Sequence, residues 1–144
     1  MHQQPVEGLS QEAFGAALAG YAAAWPDHDE TLAAIAAKLP HDPVQAEDAV
    51  PFTSRRRWAG VRVDGRTLIL GAPGVINPGP LADGVQHEST HGRRVLVLAG
   101  GDVPLGAPGP DDGPPEGLRP MGIVSLAETL QPDVRGAIEF LARE

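Results

Sequence analysis

His87-Glu88-Ser89-Thr90-His91 matches the pattern HExxH. On a helix that spacing puts two imidazoles on one face for a zinc ion and leaves the glutamate to activate water. The setting is polar rather than apolar: Gln86 precedes the motif and Gly92-Arg93-Arg94 follow it. The extended form of the motif would want Gly at 94 and His at 97, where the chain has Arg94 and Val97. A solvated helix end is the plainer reading, and a small zinc-dependent hydrolase using His87, Glu88 and His91 stands as the alternative. A second constellation lies in PFTSRRRWAGVRVDGRTLILGAPGVI, residues 51–76. Phe52 sits among Thr53, Ser54 and Arg55 to Arg57, a polar and cationic context that a simple alternating strand does not explain. With Gly71, Ala72 and Arg94 it suggests a slot for a flat, anionic ligand. The ring would supply one face, small residues the other, and guanidinium groups would reach phosphates. Taken singly, Phe52 also reads as a half-buried strand residue and the arginines as a solvated turn.

Other chemistries are excluded. The absence of cysteine removes thiol nucleophiles, disulfides and Cys-ligated zinc. No G-x-S-x-G elbow, GxxxxGK[ST] loop or GxGxxG turn occurs. A formal net charge of −8 argues against a general nucleic-acid binder, so any anion site must be local. The longest apolar run, residues 13–25, falls short of the roughly 20 residues a membrane span needs. The amino terminus carries no basic-then-apolar signal. A soluble, monomeric domain is expected.

The elements that must position these residues follow from periodicity. Residues 1–9 read as a flexible lead-in and 10–144 as a single domain. Ser10 can cap a helix to about Ala24, with Phe14, Leu18, Tyr21 and Trp25 on one face as core, and Pro26 ends it. A second helix takes Asp27 or Asp29 as its cap and Leu32, Ile35, Ala36 and Leu39 as its stripe, stopping at Pro40. Residues 40–50 read as a loop. Trp58 to Val63 and Arg66 to Leu70 are strands joined by an Asp64-Gly65 type I′ turn. A short helix is expected around Leu81 to Ser89. Arg94 to Ala99 is apolar on both faces and should be a central, covered strand. Residues 100–117 hold five prolines and six glycines and should form a mobile loop. Met121 to Leu126 is strand-like, and Pro132 opens a last helix with Val134, Ile138 and Leu141 on one face. The class is α+β, a mainly antiparallel sheet flanked by helices.

The motifs and their order resemble the cytoplasmic nucleotide-binding domain of bacterial P-type cation-transporting ATPases. PFTSRRRW is similar to the family's PF-S-x-x-RK segment, LGAPGVI to KGAPE-x-x, GRRVLVLA to G-x-RVLALA, and GIVSLAETLQPDVRGAIEFL to its G-x-x-x-x-x-D-x-x-RP-x-x segment. The resemblance covers about residues 27 to 144, with 121–144 corresponding to the return toward the phosphorylation domain. It implies that Phe52 stacks on adenine, Arg57 lies close to the nucleotide and Arg94 contacts the phosphates. Gly71 and Ala72 would line the adenine slot, and Glu30 would approach the adenine amino group. Leu70 stands where the family's lysine is common, as in a bacterial branch resembling calcium pumps. Gly74, Glu128 and Gln131 replace the family's acidic, Asp and Arg residues. The phosphorylated DKTGT segment does not occur in this sequence. The resemblance therefore implies an excised cytoplasmic domain that holds ATP, with magnesium in the parent pump. The ATP would serve phosphoryl transfer to an aspartate in the partner phosphorylation domain of an ATP-hydrolysing cation translocase. A degenerate interaction domain that has lost ATP is the further alternative.

Overall fold

The computed structural model describes residues 1–106 and 113–127. Among these, six strands form one antiparallel sheet with three α-helices: β1 (His2–Pro5), α1 (Gln11–Ala23), α2 (Glu30–Lys38), β2 (Asp48–Val50), β3 (Trp58–Val63), β4 (Arg66–Gly71), α3 (Ala82–Thr90), β5 (Arg93–Gly101) and β6 (Arg119–Ala127). The strand order is β1-β6-β5-β4-β3-β2. The expected α+β class with an antiparallel sheet is what the chain adopts.

Local chemistry sets most boundaries. The Ser10 hydroxyl accepts the Ala13 amide at 3.0 Å and starts α1, and Asp29 Oδ1 accepts the Leu32 amide at 2.9 Å and starts α2. Asp64 (φ 51°) and Gly65 (φ 75°) turn the β3–β4 hairpin. Two positive φ values are what a two-residue type I′ turn requires. The pleat then divides the apolar residues between two clusters. Phe14, Leu18, Tyr21 and Ile35 of the α1–α2 hairpin pack on Val61, Leu70, Leu96, Leu98 and Val124. On the opposite face Trp58, Ile69, Val95, Val97 and Ile123 pack with Ile76, Leu81 and Leu105. Strand β5 supplies both clusters, so the central, doubly covered strand read from its sequence is found.

Three expectations need correction. The amino-terminal residues are not a flexible lead-in, because His2–Pro5 pairs with β6 from Ser125 back to Gly122. Residues 48–50, placed in a loop, form the other edge strand against Arg62 to Gly60. Strand β5 runs to Gly101, so its first two residues of the supposed loop are in the sheet. The carboxy-terminal helix expected from Pro132, Glu128 and Gln131 lie outside the described residues. So does the middle of the proline- and glycine-rich loop. No helix among the described residues is long and apolar enough to cross a membrane.

Candidate functional site

A cavity of about 580 Å³ opens where the α1–α2 hairpin meets the ends of β3, β4 and β5. Its walls include Phe52, Gly71, Arg94 and Glu30, four of the residues singled out from the sequence. The floor is apolar, from Ala59, Leu70 and Leu96. Tyr21, Trp25 and the connector from Asp27 to Leu32 close the helical side.

The connector is held tightly. A ring nitrogen of His28, Nε2, donates at 2.9 Å to the Ala22 carbonyl at the end of α1, which also accepts the Trp25 amide at 3.3 Å. Asp29 is spent on the α2 cap. Asp27 and Glu30 stay exposed at the rim. Tyr21 is buried, edge-on to Trp25 with ring centres 6.2 Å apart. Burial pushes its phenol well above the usual range, so it remains neutral. The sequence placed Tyr21 and Trp25 in the core alone. The signal for their second role was the run Trp25-Pro26-Asp27-His28-Asp29-Glu30, an aromatic followed by polar residues at the meeting of two helices.

Phe52 is the large hydrophobic side chain left exposed among the described residues, at 48%. One tight turn holds it in place. Thr53 Oγ1 accepts the Arg56 amide at 3.0 Å, and the Thr53 carbonyl accepts the Arg57 amide at 2.8 Å. The turn closes at Arg57, whose φ of 64° lies in the left-handed region that a residue with a Cβ avoids. Arg56 and Arg57 therefore do not act as one patch. Arg56 is buried, donating to the Pro51 carbonyl at 2.5 Å and lying 5.7 Å from the Trp58 ring centre. It is a structural residue of the turn.

Gly71 reaches the cavity with its backbone. A Cβ there would stand 2.7 Å from both the Arg57 carbonyl oxygen and Trp58 Cβ. The glycine is required by the close approach of β3, its direct partner in the sheet, rather than by a ligand. Ala72 donates its amide to the Arg57 carbonyl at 3.1 Å. Neither Ala72 nor Arg57 lines the cavity. Arg57 Nη2 lies 3.7 Å from where a Cβ on Gly74 would stand, which places it over the turn that follows β4.

Arg93 and Arg94 are separated by the pleat of β5. Arg94 is exposed and faces the cavity, and among the described residues its guanidinium has no hydrogen-bond or ion-pair partner. One rim is thus acidic and the other carries an available cation. Arg93 lies on the opposite face, where its Nη1 donates to Glu88 Oε1 at 3.0 Å. The Ser125 hydroxyl donates to the same oxygen at 2.5 Å. Glu88 is 4% exposed, so the carboxylate of the HESTH motif is committed to joining α3 to the sheet. The Ser125 hydrogen bond, and then Arg93, hold it below the usual carboxylate range. Among the described residues no three metal-ligating side chains converge. The water-activating role that HExxH would need from Glu88 has no support in this geometry.

Compared with models of known protein families the chain matches none, and no curated protein is significantly similar to it.

Proposed function

We propose that this chain is an ATP-binding module of the kind found on the cytoplasmic side of P-type cation-transporting ATPases. It would hold the nucleotide for phosphoryl transfer to an aspartate in another domain. The observation that carries this reading is the convergence of Glu30, Phe52, Gly71 and Arg94, far apart in sequence, on one cavity of about 580 Å³. That volume lies in the range of small-ligand sites, about 300–1,000 Å³. An adenine ring stacks on Phe52 over the apolar floor. Its amino group, a donor, faces the acidic rim of Asp27 and Glu30. The phosphates lie toward Arg94, whose guanidinium suits phosphate oxygens.

Among the described residues no enclosed phosphate-cradling loop contributes, so affinity is expected at about millimolar, roughly −4 kcal/mol. The division of labour is testable by calorimetric titration with ATP and with adenosine. Arg94→Ala weakens ATP binding about five- to tenfold, as loss of one charge-assisted contact of about 1–1.4 kcal/mol requires. It leaves adenosine binding unchanged. Equal loss for both ligands would contradict the assignment of Arg94 to the phosphates, and binding of neither by the parent protein would favour the interaction-domain alternative.

A further inference from the structure

Once Glu88 is assigned to the fold, two imidazoles, His87 on α3 and His91 just past its end, remain without a role. His87 and His91 stand one helical turn apart, with ring centres 4.5 Å apart and planes inclined by 48°. The His87 side chain is 67% exposed, and His91 is exposed as well. His91 Nδ1 lies 2.8 Å from the His87 carbonyl oxygen. A carbonyl only accepts, so Nδ1 carries the proton and the neutral ring keeps its lone pair on Nε2. A backbone carbonyl on one ring nitrogen is the arrangement that orients metal-binding histidines through the other.

We propose that His87 and His91 form a bidentate surface site for a divalent transition-metal ion, Cu²⁺ in preference to Zn²⁺. With metal–nitrogen bonds of about 2.0 Å, two imidazoles on one ion have ring centres roughly 4.5–5 Å apart, so the observed spacing lets both rings reach a shared ion. Cu²⁺ stands above Zn²⁺ in the affinity order of divalent first-row metals for such nitrogen sites. Glu88 Oε2, 3.8 Å from His87 Nε2, adds negative charge beside the site without being needed as a ligand. With no third metal-ligating side chain converging there among the described residues, the remaining positions are left to water. The pair is on the sheet face of Arg93 and Ser125, opposite the cavity, so it stands or falls independently of nucleotide binding.

The test is a titration of the protein with CuCl₂, followed by calorimetry and electron paramagnetic resonance. A His2→Ala background keeps a copper ion held by His2, whose strand pairs with β6 at Ser125, out of the count. One Cu²⁺ per chain with two imidazole nitrogens in the hyperfine pattern is expected. His87→Ala and His91→Ala should each weaken binding at least tenfold, His41→Ala should not, and Zn²⁺ should bind more weakly than Cu²⁺. Unchanged affinity in either of the first two variants, or a spectrum with fewer than two imidazole nitrogens, would overturn the site.

Discussion

At the scale of single residues, neighbouring side chains of one type have unlike roles because the backbone sends them to different surroundings. Arg56 is buried under its own turn, Arg93 is bound to Glu88, and Arg94 is presented to the cavity. Runs of arginine carry no period of their own, so the sequence shows the charge without showing which guanidinium is available. Phe52 was legible, because an aromatic among polar residues has no core to join. The reason for Gly71 was not, since it depends on the approach of Trp58 from another strand. Glu88 gives a prediction with a definite sign. Its carboxyl is held low in the folded protein, so the unfolded chain binds more protons as pH falls below the ordinary glutamate value of about 4.3. The stability it contributes is fully present above that value and is lost as pH falls through its lowered folded value. Ser125→Ala should therefore lower the urea midpoint at pH 7. The gap from the parent protein should narrow on acidification below about pH 4. A gap that widens instead would mean that the Ser125 hydrogen bond does not favour the ionised carboxyl.

At the scale of elements, α1, α2 and the β3–β4 hairpin were legible because caps, apolar stripes and the Asp-Gly turn are local signals. Strands β1 and β2 were not. His2-Gln3-Gln4-Pro5 has neither alternation nor β-branched residues, and it becomes a strand only because β6 offers it an edge. The turn from Thr53 to Arg57 shows how an element can carry strain next to a site. Holding a residue with a Cβ in the left-handed region costs about 1–2 kcal/mol. Arg57→Gly should relieve this, raising the free energy of unfolding by up to about 1 kcal/mol once the added freedom of the unfolded glycine is subtracted. Because Arg57 lies over the Ala72–Gly74 turn rather than in the cavity wall, the same variant should weaken ATP binding less than Arg94→Ala does. Urea denaturation and calorimetry of the two variants check both statements.

At the scale of the whole molecule, one sheet separates the cavity from the imidazole pair. The face under α1 and α2 leaves a cavity between apolar strands and a charged connector. The face under α3 is closed by the Glu88–Arg93–Ser125 contacts and carries the imidazole pair outward. The antiparallel class and the central position of β5 could be read from the chain. The cavity could be read only in part, because its helical wall is formed by residues that also satisfy the ordinary demands of capping and core packing. The proposed nucleotide site requires that the exposed ring of Phe52 meets a base. An amide-resolved NMR titration of the parent protein and of Phe52→Ala with ATP tests this most directly. Phe52 is half exposed, so its loss should change stability by no more than about 0.5–1 kcal/mol and leave the fold intact. Saturable shifts are expected at Phe52, Gly71, Arg94 and the connector from Asp27 to Thr31 in the parent, half-complete at about a millimolar concentration, and none in the variant. Equal shifts in both proteins, or none in the parent up to about ten millimolar ATP, would contradict it.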